Sequence, residues 1–286
     1  MNKLLFFLLL QVSAIACFAD EYKDPTTNVI YTYDPTENRA EVKQGVRCPD
    51  FDVDSYGDIG TPGSPDAKAE IIIIDKFTID GKEYIVDKIG DYAFVQMYNI
   101  ISIVIPPTVK SIGAYAFGGC FSMSDIVMTE GIRSIGGHAF AGCHSLTALS
   151  LPEGLETIGS ESFVCCSKLE FVSIPSSVTN IEFLVFLGCD ALTKVISLIE
   201  NPFKVDNILG LSQQGKATLY VPAGTKSKYV ATPGWNQFCT IEEILPSSIT
   251  FQTQHQKCYY FDLQGRRLSG KPDRGIYIED GKKKVK

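Results

Sequence analysis

The apolar and polar positions of this chain repeat with a period of 23 residues through its middle. Each copy opens on an isoleucine and reaches a phenylalanine five positions later. The five phenylalanines are Phe94, Phe117, Phe140, Phe163 and Phe186. A constant period in the low twenties is typical of a solenoid, in which each repeat forms one coil that stacks on the next. The pattern therefore predicts five stacked coils with a shared apolar interior.

Other positions keep the same period. A short apolar stretch in each coil, such as 103–105, alternates inward and outward side chains and predicts a parallel strand. A glycine follows the opening isoleucine in four copies and predicts a tight bend at positive φ. These glycines are Gly90, Gly113, Gly136 and Gly159.

A cysteine column follows the phenylalanine column by three positions. Its members are Met97, Cys120, Cys143, Cys166 and Cys189. Because methionine shares this column, and because laddered β-carbons lie farther apart than a disulfide prefers, we interpret its cysteines as reduced core residues. Cys165 replaces a glycine of the neighbouring repeats, and Cys48, Cys239 and Cys258 lie outside the repeats without a predicted pairing.

The first nineteen residues have the pattern of a secretory signal, with Lys3 before the apolar stretch Leu4–Leu10. Cleavage after Ala19 fits the small residues that precede it. A lipoprotein signal ending at Cys17 is the alternative, and it is disfavoured because a large aliphatic residue is missing three positions earlier. Lipidation would tether the protein to a membrane, whereas cleavage after Ala19 would release it.

Composition narrows the function classes. A chain of 286 residues with 45% hydrophobic content can bury a continuous core. Its formal net charge of −7 disfavours nucleic acid as a partner.

His138 and His144 flank Cys143, but without a Cys-x-x-Cys spacing we predict surface histidines, no metal and no cofactor. The acidic loop 50–58 lacks the glycine and glutamate of a calcium-binding loop, so we interpret it as a solvated turn.

Five segments follow from these patterns. Residues 1–19 form the signal peptide, 20–84 an N-terminal β cap, 85–200 the repeats, 201–246 a C-terminal cap and 247–286 a small β module. Within the first cap, Asp80-Gly81 predicts a tight hairpin turn between two short strands.

The repeat unit, as in Ile135 to Pro152, resembles the BspA-type leucine-rich repeat of bacterial surface proteins. Segment 219–222 with Trp235 resembles the closing piece of such arrays. The tail, from Tyr260 to Ile278, resembles C-terminal modules of exported bacteroidete-type proteins, some of which act as secretion or attachment signals. The resemblance implies a leucine-rich-repeat solenoid, mainly β with short irregular or 3-10 turns: five stacked 23-residue repeats with small β caps at each end.

The same resemblance implies an extracytoplasmic, non-enzymatic binding protein, often an adhesin, at the cell surface or secreted, with the periplasm or outer membrane as alternatives. A structural envelope protein is the second hypothesis, and an unrecognised hydrolase or enzyme accessory the weakest. A membrane contact is expected only through a lipidated Cys17 or the C-terminal tail.

Outward positions of the strands predict an exposed ribbon of low charge that contacts a protein or a glycan. The alternative is an ordinary sheet surface, on which β-branched residues are common. The predicted ribbon residues are Ser102, Val104, Asp125, Val127, Ser150, Phe171, Ser173, Lys194 and Ile196.

Overall fold

The computed structural model describes residues 20–24, 29–44, 69–210 and 216–244, and four strands between residues 260 and 285. Over these residues it confirms a β-solenoid, with about seven coils and almost no helix. The predicted signal segment 1–19, the acidic loop 50–58, Cys48 and Cys258 lie outside the described residues. None of the helices in the described ranges is both long and apolar enough to span a bilayer.

The N-terminal cap is built from six strands. They are β1 (Asp20–Lys23), β2 (Ile30–Asp34), β3 (Arg39–Gln44), β4 (Ala69–Ile72), β5 (Lys76–Ile79) and β6 (Lys82–Ile89). β5 and β6 form the predicted hairpin, whose turn residues Asp80 and Gly81 both have positive φ, of 51° and 79°. β3 pairs in parallel with β6, so the cap sheet continues directly into the first repeat.

Each of the five periodic coils then contributes one strand to each of two parallel ladders. The next strands are β7 (Ile100–Val104), β8 (Ser111–Ile112), β9 (Asp125–Val127), β10 (Ser134–Ile135), β11 (Ala148–Ser150), β12 (Thr157–Ile158), β13 (Phe171–Ile174), β14 (Asn180–Ile181), β15 (Lys194–Ser197), β16 (Thr218–Val221) and β17 (Thr240–Glu243). The short ladder runs β6-β8-β10-β12-β14. The other ladder, here called the strand face, comprises two sheets, β4-β7-β9 and β11-β13-β15-β16-β17.

The predicted count of five coils is too small, because the strand face continues beyond the periodic sequence. β16 pairs in parallel with β15, and β17 pairs in parallel with β16. A short helix α1 (Lys226–Ala231) and a 3-10 turn (Trp235–Gln237) connect these last two strands. Trp235 is buried against Tyr229 and donates from Nε1 to the Phe203 carbonyl at 2.9 Å. The segment predicted as a C-terminal cap thus also adds two strands to the strand face.

The C-terminal residues contain a separate four-stranded antiparallel sheet. Its strands are β18 (Tyr260–Phe261), β19 (Arg267–Leu268), β20 (Ile276–Glu279) and β21 (Lys282–Val285), in the order β19-β18-β20-β21. These four strands lie within segment 247–286.

The phenylalanine column forms the centre of the core, as predicted. All five rings are fully buried and stack along the solenoid axis, with successive centroids 5.1, 5.0, 5.2 and 5.8 Å apart. A parallel ladder places equivalent residues of adjacent coils directly above one another, so each ring packs on its copy. The isoleucines of the short ladder are buried in the same way; Ile135, for example, pairs with Ile112.

The cysteine column consists of free, buried thiols, which confirms the prediction. Each Sγ lies close to the carbonyl of a phenylalanine in the preceding coil, for example Cys120 to Phe94 at 3.1 Å and Cys166 to Phe140 at 3.3 Å. Burial raises the pKa of Cys120 to about 12 and also raises the pKa of Cys143. These thiols therefore remain protonated in the folded protein at neutral pH.

Stability should consequently fall in alkaline solution. Thiols in the unfolded chain ionise from about pH 8.5 upward, whereas Cys120 keeps its proton up to about pH 12 in the folded chain. The unfolded state then binds fewer protons, so the free energy of unfolding decreases as pH rises through this window. Urea titrations at neutral pH and near pH 10 should show a smaller alkaline loss for Cys120→Ala. Cys239→Ala, which removes an exposed thiol, should lose as much free energy of unfolding between the two pH values as the wild type. An equal loss for both variants and the wild type would contradict this explanation.

The predicted role of the glycine column is wrong. Positive φ occurs two residues later, at Tyr92, Tyr115, His138, Glu161 and Leu184. The glycines are needed instead because adjacent coils touch: a Cβ at Gly136 would lie 2.7 Å from the Ala114 backbone nitrogen. Equivalent contacts of 2.6 Å exist for Gly113 and Gly159. Close backbone approach, rather than a bend, therefore explains this column.

Candidate functional site

The strand face brings most of the predicted ribbon residues together. Parallel pairing places Phe171 beside Lys194 and Ser173 beside Ile196, and in the other sheet Ser102 beside Asp125. The ribbon is divided, because β9 and β11 belong to different sheets. Its longer part, on β11 to β17, is the larger continuous surface.

Three predicted ribbon residues are less exposed than expected. Val104, Phe171 and Ile196 are 8%, 7% and 4% exposed. They do not belong to the main interior core. Val104 packs in a small cluster with Ile72 and Val127, its ladder neighbours. Equivalent side chains in adjacent coils thus cover one another, and a residue that points outward becomes buried when its neighbours are large.

Lys194 lies against two aromatic rings on this face. Its Nζ is 5.7 Å from the Phe171 ring centroid and 5.1 Å from that of Tyr220. Both distances are within the range of cation–π attraction. We name Phe171, Lys194 and Tyr220 the cationic cluster. Sequence reasoning missed Tyr220 because it lies outside the 23-residue period, although its outward position in the alternating strand Thr218–Val221 was a usable signal.

A second surface feature lies on the turn face. We define the turn face as the residues of each coil that follow its short-ladder strand, up to and including the residue after its cysteine-column position. Two ladders of stacked rings run along it. The first ladder is Tyr92, Tyr115 and His138, with centroids 5.2 and 4.5 Å apart. The second ladder is Tyr98, Phe121 and His144, with centroids 4.9 and 5.0 Å apart.

The sequence analysis predicted exposed surface histidines. In the structure, both histidines are instead members of the ring ladders. Each is half-buried because it stacks on the ring of the preceding coil. His138 Nε2 also lies 3.3 Å from a Glu161 carboxylate oxygen, and His144 Nδ1 lies 2.8 Å from the Cys165 carbonyl oxygen. The ladders were detectable in sequence, because both keep the 23-residue spacing.

Comparison with known proteins identifies the repeats. Residues 87–205 match the BspA type leucine rich repeat region in six copies. These residues therefore contain repeats of the type that this family model describes. The BspA-type repeats thus number one more than the five predicted from the phenylalanine column. A search of curated proteins finds no match.

Solved structures share the fold of these BspA-type repeats. A leucine-rich repeat protein of T. pallidum, TpLRR, is similar with a TM-score of 0.52 and 21% identity, over 77% of this chain and 82% of that one. The pneumococcal vaccine antigen PcpA is similar with a TM-score of 0.53 and 20% identity, over 73% of this chain and 51% of that one. At this identity the likeness establishes the fold only.

A polar cleft of about 410 Å³ lies where the N-terminal cap meets the BspA-type repeats. Two ion pairs lie among its lining residues: Arg39 contacts Asp87 at 2.6 Å, and Lys88 contacts Glu41 at 2.9 Å. The hydrogen bond to Glu41 raises the pKa of Lys88. These ion pairs fasten the cap strand β3 to β6.

One Ser–His contact lies within the BspA-type repeats, but its geometry does not suit catalysis. Ser167 Oγ lies 3.4 Å from His144 Nδ1. The same nitrogen is already bound by the Cys165 carbonyl at 2.8 Å. A nitrogen that donates to a carbonyl has no lone pair with which to activate a hydroxyl. In the described ranges, no group of three or more His, Cys, Asp or Glu side chains is arranged to hold a metal ion.

Proposed function

We propose that this chain is an extracytoplasmic binding protein of a bacterial surface that recognises a protein or a glycan through its strand face. Leucine-rich-repeat solenoids present long, rigid surfaces built from equivalent positions of successive coils. The resemblance of the first nineteen residues to a secretory signal supports export. A structural relative described as a vaccine antigen supports a surface location.

The cationic cluster is the observation that carries this proposal. Lys194 is held between Phe171 and Tyr220, so a charged donor is presented on an aromatic surface. Aromatic residues and cations that lose little freedom on binding are the usual energetic centres of interfaces. The neighbouring Ser150 and Ser173 add short hydroxyl groups beside the cluster.

Capture experiments with matched variants test the proposal. The whole protein is passed over immobilised matrix proteins and glycans, beside Lys194→Ala/Tyr220→Ala and the control Lys168→Ala. The control removes the same charge from an exposed position off the strand face. We expect a captured partner that the double variant loses by about tenfold or more and that the control retains.

Two outcomes would contradict this function. Equal capture by the double variant and the wild type would place binding elsewhere. Absence of capture by the wild type would favour a structural role in the envelope. We avoid changing Phe171 in this experiment, because it is 7% exposed and its removal would disturb packing as well as binding.

A further inference from the structure

The strand face is interrupted at one coil boundary. β9 and β11 occupy equivalent positions of adjacent coils, yet they belong to different sheets. Most Cα pairs between them are more than 8 Å apart, whereas neighbouring strands of a sheet lie about 4.8 Å apart. The short ladder crosses the same boundary without a break, through β8, β10 and β12. We name the space between β9 and β11 the strand gap.

The backbone hydrogen bond that precedes the paired strands elsewhere is missing at the strand gap. One coil later, Glu170 N donates to the Thr147 carbonyl at 2.8 Å. The equivalent bond at the gap would run from Thr147 N to the Ser124 carbonyl, and it does not form although both residues are described. On the turn face of the same two coils, Phe117 N donates to the Ala139 carbonyl at 2.7 Å. The two coils are therefore joined at their turns and separated at their strands.

The unpaired backbone groups of β11 can be identified from the bonds on its other side. Leu151 N donates to the Ser173 carbonyl at 3.1 Å, toward the next coil. Successive N–H groups of a strand point to opposite sides, so those of Ala148 and Ser150 point toward the strand gap. The bond from Met128 N to the Ser150 carbonyl, which would match that of Leu151, is also absent from this described segment. A row of unpaired backbone groups therefore remains along β11.

The loop after β9 explains the separation of the two strands. A Cβ at Gly131 would lie 2.1 Å from the Pro107 carbonyl oxygen of the preceding coil. At Gly154, the equivalent glycine one coil later, the nearest backbone atom is the Glu130 carbonyl oxygen, at 3.2 Å. The loop of the second coil thus lies closer to the first coil than the third loop lies to the second, which draws β9 away from β11.

Two further features of the strand gap point to a ligand. Ile126 and Met128 hold inward positions on and directly after β9, yet both are only half-buried. The next residue, Thr129, is 8% exposed, and its Oγ1 has no hydrogen-bond partner among the described residues. A buried polar group without a partner costs free energy, which a bound donor or acceptor removes. In the other periodic coils the residues equivalent to Ile126 are buried, namely Ile103, Leu149, Val172 and Val195.

We propose that the strand gap binds an extended segment of a partner protein, which adds as a parallel strand between β9 and β11. Unpaired strand edges are templates for another chain. Strand addition gives affinity through main-chain hydrogen bonds, and alternate side chains give specificity. The inward side chains of the segment would be apolar, because they contact Ile126 and Met128. A helix would not replace the missing bonds, since its own backbone groups are paired internally.

This site goes beyond the proposed function. The cationic cluster lies on β13, β15 and β16, so neither strand that borders the gap contributes to it. The two sites recognise different features of a partner, an extended main chain in the gap and a surface group at the cluster.

Fluorescence anisotropy on the whole protein tests the strand gap with a labelled peptide that copies residues 169–175. This segment contains β13, which already pairs in parallel with β11 within the fold. We expect the peptide to bind, and the same peptide with a methylated backbone to bind at least about tenfold more weakly, because its nitrogens no longer donate. In hydrogen exchange, bound peptide should slow the amides of Ala148 and Ser150.

A matched pair of variants locates the peptide. Ser150→Pro removes the N–H that points toward the gap, whereas the control Ser150→Ala keeps it. We expect the control to bind like the wild type and Ser150→Pro to lose about tenfold in affinity, with circular dichroism confirming that both are folded. The variant Lys194→Ala/Tyr220→Ala should bind the peptide like the wild type, so this test and that of the proposed function can fail separately.

Three results would overturn the proposal. They are absence of peptide binding by the wild type, equal binding of the methylated peptide, and an amide of Ser150 that exchanges in the free protein as slowly as that of Leu151. The last result would show that the strand gap is closed in solution. It needs no variant, so the proposal stays testable even if Ser150→Pro does not fold.

Discussion

Replacing Phe140 with alanine should lower the free energy of unfolding by about 3–5 kcal/mol. Its ring is fully buried and stacked between those of Phe117 and Phe163, with centroids 5.0 and 5.2 Å away. The backbone of each coil is held by ladder hydrogen bonds to both neighbours, so the structure has little freedom to collapse into the cavity. Urea denaturation followed by circular dichroism measures the loss.

The matched control is Phe121→Ala on the turn face. This ring is 39% exposed and also stacks on neighbouring rings, but it fills no interior space. We expect it to cost about 1 kcal/mol or less. Similar losses for the two variants would show that the phenylalanine column does not form the centre of the core.

Gly136→Ala should destabilise the protein by about 1–3 kcal/mol although it adds only one methyl group. The new Cβ would lie 2.7 Å from the Ala114 nitrogen and 2.7 Å from the Gly113 carbonyl carbon. Both atoms are backbone, so no flexible side chain can yield. The coils would have to separate locally, which would lengthen the hydrogen bond from Gly136 N to the Ile112 carbonyl, now 2.8 Å.

The adjacent glycine provides the comparison. A Cβ at Gly137 would meet only the Ser160 carbonyl oxygen, at 3.3 Å, and the equivalent position of the preceding coil already carries Ala114. Gly137→Ala should therefore change the unfolding free energy by about 0.5 kcal/mol or less. If both variants were equally stable, close approach of the coils would not explain the glycine column.

Periodicity was sufficient to predict the interior of this protein. The phenylalanine and cysteine columns are buried as expected, since a side chain repeated at one coil position must stack on its own copies. The hairpin at Asp80-Gly81 was predicted equally well, because a two-residue turn depends on local backbone preference.

Periodicity did not predict the strands in the part of the chain where the sequence leaves the 23-residue repeat but the backbone continues to coil. β16 and β17 extend the strand face although their sequences leave the period. Parallel pairing needs backbone groups in register and an apolar inward face, and Leu219 and Ile241 supply that face. Tyr220 was missed for the same reason, so the cationic cluster could not be assembled from sequence.

The sequence alone determined the coil, its period and its core, because burial in a solenoid follows from position within one repeat. Only the tertiary structure decided the surfaces. Whether Phe171 is exposed depends on Lys194 in the next coil, and whether Tyr115 forms part of a ladder depends on Tyr92 and His138 on either side. Exposure and ring stacking depend on neighbouring coils, whose side chains come into contact only after the chain has folded.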